Sequence, residues 1–246
     1  MRHVEINGGL VEKTAVWRLT LPVVVAGYAN AQIDDYEQKR RSQYPWLPNT
    51  RLRLRACFSH DASQLCGTAG FGFWNAPFGD PTVPWPTLPQ AVWFFFGSPP
   101  NDLPLASTGA GRGWFAATLD ATTPRAWSMA PLSPFVVLLN RWPRFRQRIW
   151  PRVQQRLGIS YAQLATPMNE WHDYELVWRK EGCHFLIDDK TVLQTPRSPR
   201  GPLGFVCWID NQFMAVTPNG RFRYGTLPIA IPQTLEIENL SIQTIA

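Results

Sequence analysis

Apolar and polar residues alternate along most of this chain, and prolines and glycines cut the alternation into short segments. The 246 residues include 23 prolines and 17 glycines, and the stretches between them have the length of β-strands. Ten stretches are predicted as strands, from VWRLTLPVVV near the start to LEIENLSIQT near the end. Short strands separated by frequent turns predict an all-β sandwich or barrel.

The clearest local prediction is a β-hairpin in the segment WHDYELVWRKEGCHFLIDDKTVLQT. Its apolar residues recur at every second position, which is the period of a half-buried strand. Glu181-Gly182 and Asp188-Asp189 interrupt the alternation with residue types that favour tight turns. The segment is therefore predicted to form consecutive antiparallel strands.

Residues 133–165 depart from the strand pattern and predict a short helical insertion. Ser133 followed by Pro134 is a typical helix start, and Pro143 and Pro151 are expected to divide the rest of the segment into short helices that end near Gly158. Such an element either packs on the edge of a sheet or covers one end of the sandwich as a lid. In both cases residues 1–246 form one domain.

The chain has enough hydrophobic residues to fill a core and enough aromatic residues to line a binding cleft as well. Hydrophobic residues make up 45% of the chain, with 12 tryptophans and 14 phenylalanines. The first residues lack the apolar run of a secretory signal, and no apolar stretch is long enough to cross a bilayer. A cytoplasmic location is expected on this basis.

The net charge of +6 comes from one region of the sequence. Six arginines and no acidic residue lie between Arg141 and Arg156, and the rest of the chain has 18 basic and 18 acidic residues. A local patch of this kind does not predict nucleic-acid binding. It is compatible with contact to an anionic membrane surface, with a phosphate clamp or with a solvated helix face.

The hairpin segment resembles that of family-sixteen glycoside hydrolases and related laminin-G-like domains, within the concanavalin A-like lectin and glucanase superfamily. The residues that carry the resemblance are His172, Tyr174, Trp178, Phe185, Ile187 and Asp188, with Asp189 in place of the usual glycine. The resemblance implies a jelly-roll β-sandwich. Some members of this fold class hold a structural calcium, so such a site stays open, while no catalytic metal or other cofactor is expected.

The resemblance does not extend to the catalytic motif of the hydrolases. Retaining hydrolysis requires two carboxyl groups about 5 Å apart that face the sugar ring. The strand in the corresponding place is Gln90–Gly97, and its two faces carry Ala91, Trp93 and Phe95, and Val92, Phe94 and Phe96. Hydrolysis of the family type is therefore not expected, and Trp93 and Phe95 are predicted to line an aromatic cleft.

One candidate polar group lies in the segment ANAQIDDY. Alternation places Ala29, Ala31 and Ile33 toward the core, and Gln32, Asp34 and Tyr36 toward the cleft. Gln32 and Tyr36 are predicted to bind the ligand, and Asp34 is a candidate catalytic carboxyl. The alternative is an exposed edge where Asp34 and Asp35 begin a turn.

A second candidate group lies in the segment FVCWIDNQF, where Trp208, Asp210 and Gln212 share one face. A carboxyl in so apolar a strand is costly unless it is hydrogen-bonded or faces a polar cleft. Burial beside Trp208 is expected to raise the pKa of Asp210 and to make it a general acid, with Trp208 and Gln212 as ligand contacts. The alternative is that Asp210 braces a loop together with Asn211.

Three further residues complete the predicted site. His172 begins a strand and is a candidate base or hydrogen-bond donor, although a single histidine is more often structural. Trp74 and Asn75 close the segment GFGFWNAPF and are predicted to supply a stacking ring and an amide at the cleft mouth. Gly70 and Gly72 in the same segment permit close approach of a ligand or of another strand.

These features favour an enzyme that binds a largely apolar small molecule in an aromatic cleft. Its predicted chemistry is acid/base catalysis by Asp34 and Asp210, of a cyclisation, isomerisation or hydration type. One alternative is a non-catalytic, lectin-like domain that binds carbohydrate, and another is a divergent glycoside hydrolase. The expected partner is thus an apolar or glycosylated small molecule, with peripheral membrane contact through Arg141–Arg156 left open.

Overall fold

The protein is an antiparallel β-sandwich of the jelly-roll class. The structure is a computed structural model, and it describes residues 1–77, 85–103, 111–128, 135, 138–217 and 220–245. Within these ranges, two seven-stranded sheets pack against each other and a two-stranded hairpin lies beside them. The predicted all-β jelly roll is confirmed. The predicted helix start at Ser133 and Pro134 lies outside the described residues.

The first sheet is called the cleft sheet. Its strands, in chain order, are β1 (Arg2–Ile6), β4 (Asn30–Asp34), β6 (Thr68–Trp74), β7 (Gln90–Gly97), β8 (Gly113–Asp120), β9 (Ser160–Gln163) and β13 (Gly204–Asp210). They lie in the order β1-β4-β13-β6-β7-β8-β9 across the sheet. Every residue of β4, β7 and β13 is buried. The centre of this sheet is therefore covered on both faces.

The second sheet is called the back sheet. Its strands, in chain order, are β2 (Leu10–Lys13), β3 (Trp17–Leu21), β5 (Thr50–Phe58), β10 (His172–Arg179), β11 (Gly182–Ile187), β12 (Lys190–Thr195) and β16 (Gln233–Thr244). They lie in the order β12-β11-β10-β5-β16-β3-β2. The strands alternate between buried and more exposed residues, as expected for a sheet with one wetted face. The separate hairpin consists of β14 (Gln212–Val216) and β15 (Phe222–Thr226).

The predicted hairpin segment forms three consecutive antiparallel strands, β10, β11 and β12. Asp188 and Asp189 connect the last two of them with φ angles of 49° and 60°. Positive φ at both central residues is the geometry of a type I′ turn, whose twist matches that of the strands. Two aspartates thus fill the turn that the resemblance assigns to an Asp-Gly pair.

The helical insertion ends near Gly158, as predicted, but one of its two predicted divisions is absent. The described helices are Pro124–Trp127 and Pro143–Arg156, with a 3-10 turn at Arg41–Gln43. Pro151 lies inside the second helix and does not divide it. Residues 160–163, predicted as part of the insertion, form strand β9, because they pair with the outer edge of β8. No helix in the described ranges is long and apolar enough to cross a membrane.

The main core lies between the two sheets and contains the residues predicted for it. Ala29, Ala31 and Ile33 of the β4 region are buried in it. Phe94 of β7 packs edge-on against two rings of the back sheet, Tyr174 at 5.0 Å and Phe185 at 5.4 Å between centroids. These contacts between the sheets bury large aromatic surfaces, which is the main stabilising contribution to the sandwich.

Two glycines of β6 make room for aromatic side chains on the outer face of the cleft sheet. A Cβ atom at Gly70 would lie 3.1 Å from Cη2 of Trp208, which belongs to the neighbouring strand. A Cβ atom at Gly72 would lie 2.7 Å from Cβ of Trp93 and 2.5 Å from the carbonyl oxygen of Val92. The large side chains of the flanking strands therefore lie across β6, which has none of its own at these positions.

We expect Gly72→Ala to destabilise the fold, because the added methyl group meets backbone atoms that cannot move without disturbing the pairing of β6 and β7. Overpacking of this kind typically costs ~1–3 kcal/mol. Urea unfolding followed by tryptophan fluorescence measures the change. An unfolding free energy equal to that of the wild type would show that the close approach at β6 is not required.

Candidate functional site

The outer face of the cleft sheet carries a layer of aromatic rings from three adjacent strands. Its members are Trp74, Trp93, Phe95 and Trp208. Neighbouring centroids lie 5.3 Å apart for Trp93 and Phe95 and 5.6 Å apart for Trp93 and Trp208. The rings of Trp74 and Trp208 are parallel to within 4°. Together the four rings are called the aromatic floor.

A cavity of about 350 Å³ lies over the aromatic floor. This volume is within the usual range of small-molecule sites. Most of its walls are aliphatic, and the residues concerned are Pro77, Pro89, Leu103, Leu119, Ala121, Leu157, Ile159, Met214 and Val216. Phe222 of β15 also lines the cavity although 63% of it is exposed, so it lies at the cavity opening.

The polar groups of the cavity gather around Asp210, at the end of β13. Its Oδ1 accepts hydrogen bonds from the Thr68 hydroxyl at 2.8 Å and from the Gln212 backbone N–H at 3.1 Å. Its Oδ2 accepts one from Nε2 of Gln212 at 2.7 Å. Gln32, Asn101 and Tyr28 are the other polar residues of the lining. Asp210 therefore faces the ligand space from within a network of neutral donors.

Burial raises the pKa of Asp210 to about 6, and the hydrogen bonds from Gln212 and Thr68 partly oppose this shift. Only 2% of the residue is exposed. No ion pair to Asp210 forms among the described residues. A carboxyl without a cationic partner in an apolar surrounding favours its neutral form, as predicted from the position of Asp210 beside Trp208.

Tyr28 is a part of the site that the sequence did not reveal. It lines the cavity, and its pKa is raised by burial, by the charge of Asp210 and by a side-chain hydrogen bond with Asp210. Tyr28 lies in the turn before β4, outside any alternating segment. Thr68 was also missed, since its contact with Asp210 depends on the pairing of β6 with β13. That pairing joins strands about 140 residues apart, and local pattern does not reveal it.

Most polar groups beside the aromatic floor already have partners within the protein. The indole N–H of Trp208 donates to the Thr68 hydroxyl at 3.0 Å, and that of Trp74 donates to the Tyr36 hydroxyl at 2.9 Å. Nε2 of Gln32 donates to Asp34 at 2.8 Å. Among the described residues of the lining, the indole N–H of Trp93 is a buried side-chain donor without a partner, so the cavity offers a ligand much aromatic surface and few free donors.

Asp34 occupies a different environment from Asp210. Its carboxylate is fully buried and paired with Arg2, whose terminal nitrogen lies 2.7 Å from Oδ2, and it does not line the cavity. Asp34 is paired with Val206 of β13. Asp210 lies four residues further along that strand, so roughly 13 Å separates the positions of the two carboxyl residues along the sheet. The geometry thus gives no support to joint acid/base work by Asp34 and Asp210.

Tyr36 and Asn75 support the cleft from beside it. Tyr36 is fully buried and stacks on Tyr44 with 4.8 Å between centroids. The side chain of Asn75 donates to the carbonyl oxygen of Leu88 and accepts from the backbone N–H of Gln90, each at 3.0 Å. Neither residue lines the cavity, so the ligand contacts predicted for them are replaced by structural contacts.

His172, the candidate base or hydrogen-bond donor, lies away from the cavity. It begins β10 in the back sheet, where it is paired with Ala56 of β5. Its Nδ1 lies 2.7 Å from Oδ2 of Asp188, and its ring meets Tyr174 edge-on. The sequence showed the strand but not the sheet to which it belongs. In the described part of the chain, no group of three or more His, Cys, Asp or Glu side chains could hold a metal ion.

The two seven-stranded antiparallel sheets define a β-sandwich of the jelly-roll class, with an aromatic cleft on the outer face of one sheet. Similar solved structures include an endo-β-1,4-glucuronan lyase from the fungus Trichoderma reesei, at 9% identity and a TM-score of 0.49, covering 99% of this chain and 90% of that one. A legume lectin-like domain from Entamoeba histolytica is 8% identical with a TM-score of 0.48, covering 97% and 88%. These are similarities of chain path.

Comparisons of sequence with known proteins do not assign the chain to a family. Residues 30–50 match a model of the C-terminal domain of the 3-isopropylmalate dehydratase small subunit, and this match covers a small part of the chain. No curated protein matches the sequence significantly. The function is therefore inferred from the cavity and its residues.

We expect Arg2→Met to be strongly destabilising, because it leaves the buried carboxylate of Asp34 without its cation. Breaking one side of a buried ion pair typically costs ~3–5 kcal/mol, and adding Asp34→Asn should recover part of that loss. Chemical unfolding of the single and double variants measures both effects. Arg18→Met, which breaks an exposed pair with Glu236, is the control and should change stability little. A similar small effect for Arg2→Met would contradict the assignment.

We also expect Asp210 to make the fold less stable as the pH rises from 4 to 6. Its folded pKa of about 6 lies above the ordinary value of 3.8, so the folded state binds more protons than the unfolded state between these values. The shift corresponds to roughly 3 kcal/mol. Urea unfolding at several pH values should show this loss in the wild type relative to Asp210→Asn. Parallel pH profiles of the two proteins would refute a raised pKa.

Proposed function

We propose that the protein is an enzyme that binds a largely apolar small molecule over the aromatic floor and uses Asp210 as its general acid and base. The observation that carries this proposal is a single desolvated carboxyl, with a pKa of about 6, in a cavity whose described lining is mostly aromatic and aliphatic. Perturbed carboxyls in clefts are typical of catalytic acids, because a pKa near the working pH serves proton transfer in both directions.

The lining favours an apolar ligand over a sugar. Carbohydrate recognition requires several hydrogen bonds to hydroxyl groups as well as ring stacking. Here the indole N–H groups of Trp74 and Trp208 and the amide of Gln32 donate to other side chains. Nine further residues of the lining, among them Leu103, Leu119 and Val216, are aliphatic. A ligand that enters gains apolar burial but few polar contacts, so the best fit is a molecule with one polar end near Asp210.

The chemistry available to this arrangement is proton transfer. A protonated Asp210 can donate to a carbon–carbon double bond or to an oxygen of the ligand, and the resulting carboxylate can later take a proton back. The faces of Trp93 and Trp208 stabilise positive charge that develops during such a step. Cyclisation and isomerisation need only these two proton transfers, whereas hydration also needs a water molecule that adds to the cation and gives its proton to the carboxylate. Tyr28 lines the cavity beside Asp210, where its hydroxyl can donate to the carboxylate that forms after proton transfer.

A lectin-like function is the second candidate, and one observation favours it. Three indoles, those of Trp74, Trp93 and Trp208, line the cavity, and indole rings are surfaces on which sugar faces stack. Glycoside hydrolysis fits less well, because it needs two carboxyl groups beside the bond that is cleaved. Asp210 supplies one, and none of the other described residues in the cavity lining is acidic.

Calorimetric titration with two ligand sets distinguishes the candidates. We expect long-chain alcohols and isoprenoid alcohols to bind with a negative heat-capacity change, and β-glucan and uronan oligosaccharides to give no heat. Trp208→Ala should abolish binding because it removes the centre of the floor. Trp171→Ala, beside the back sheet, should bind as the wild type does. Saccharide binding that depends on Trp74 and Trp208, without apolar binding, would favour the lectin.

Substitution of the carboxyl tests the chemical role. Once mass spectrometry has identified a ligand that is converted, we expect Asp210→Asn to lower turnover ~100-fold or more with little change in affinity, as for loss of a general acid. Asp173→Asn changes an exposed aspartate of the back sheet and serves as the matched control. Unchanged turnover in Asp210→Asn would remove the catalytic assignment.

A further inference from the structure

The positive charge of the protein belongs to two segments that flank the cavity. Residues 141–156 contain six arginines, residues 211–235 contain two, and neither segment contains an acidic residue. The remaining chain has 16 basic and 18 acidic residues. The two segments, together called the basic rim, thus carry eight positive charges, whereas the rest of the chain has a net charge of −2.

Both halves of the basic rim adjoin the same cavity. The hairpin of β14 and β15 contributes Met214, Val216 and Phe222 to the lining. The helix Pro143–Arg156 is followed directly by Leu157 and Ile159, which line the cavity as well. The strand pairing places the hairpin at the Thr68 end of β6 and the helix near its Trp74 end. The basic rim thus flanks the cleft on two opposite sides.

Large aromatic side chains project from the basic rim between the arginines. Phe222 and Tyr224 are 63% and 74% exposed and alternate with Arg221 and Arg223 along β15. Trp142, at the start of the helix, is 57% exposed. A surface that only keeps a protein in solution usually mixes both signs of charge and exposes few large rings. Arginines interleaved with aromatic rings are typical of surfaces that meet the interface of a bilayer.

We propose that the basic rim docks the protein on an anionic membrane surface, with the cavity opening toward the lipid. Charge complementarity selects the anionic headgroups, and the exposed rings enter the interfacial layer. Phe222 is both largely exposed and part of the cavity lining, so an apolar path leads from the surface to the aromatic floor. The choice of a bilayer over another polyanion rests on the proposed apolar ligand, which would be drawn from the membrane.

Co-sedimentation with lipid vesicles tests this docking without any ligand. We expect the full chain to bind vesicles of phosphatidylcholine with phosphatidylglycerol, to bind pure phosphatidylcholine weakly, and to be released by salt. Each arginine near an anionic surface contributes about fivefold in binding, so Arg221→Gln with Arg223→Gln should lower the partition coefficient by on the order of tenfold or more. Arg144→Gln with Arg148→Gln should act similarly from the helix.

A matched pair on the back sheet supplies the control. Lys180→Gln with Lys190→Gln removes the same charge from exposed positions away from the cavity and should leave vesicle binding unchanged. Equal binding to neutral and anionic vesicles, or equal losses in the control pair, would overturn the proposal. So would arginine-dependent binding of duplex DNA without vesicle binding. If the protein binds anionic vesicles but no apolar ligand binds in the cavity, the proposal of membrane docking stands and the proposed class of ligand is wrong.

Discussion

The central strands of the cleft sheet are buried on both faces, and the site follows from this constraint. The inner face of β7 packs against the rings of the back sheet. Its outer face carries Trp93 and Phe95, which are also buried. Because β6 has glycines at positions 70 and 72, the indole of Trp208 reaches over Gly70, and Trp93 of the other neighbouring strand approaches Gly72 closely. A sheet of this kind needs a cover on its second face, and the cavity is where that cover is incomplete.

Two buried carboxylates on this sheet illustrate two ways of tolerating a charge away from water. Asp34 is compensated by the guanidinium of Arg2, while Asp210 has only neutral donors from Thr68 and Gln212. Hydrogen bonds alone compensate desolvation less completely than a cation does, so the pKa of Asp210 rises. The difference separates a structural carboxylate from one whose proton is available for chemistry.

Alternation along single strands was sufficient to predict the fold class and most of the cleft. It assigned Trp93, Phe95, Trp208, Asp210 and Gln212 to one side of the sheet, and all five line the cavity. Each of these assignments depends only on the period of two within a strand. Asp34 and Tyr36, assigned to the cleft side by the same alternation, do not line the cavity, and their contacts are with Arg2 and Tyr44.

Relations between distant strands were not accessible in this way. The partnership of Arg2 with Asp34, the contact of Thr68 with Asp210 and the place of His172 in the back sheet depend on which strands are neighbours. Tyr28 lies in a turn, where no period indicates direction. Pro151 is retained inside a helix although its ring lacks the N–H that a helix interior uses. Each of these features depends on contacts between segments that are distant in the sequence or lie outside regular strands.

A carboxyl-selective ¹³C NMR titration of the wild type and Asp210→Asn tests the account of the site most directly. We expect one carboxyl resonance, absent from the variant, to titrate near pH 6 and to move to higher pH when an apolar ligand fills the cavity and excludes water. An Asp210 resonance that titrates near pH 4, with the same midpoint when ligand is present, would contradict the claim that Asp210 is a desolvated acid in an apolar binding site.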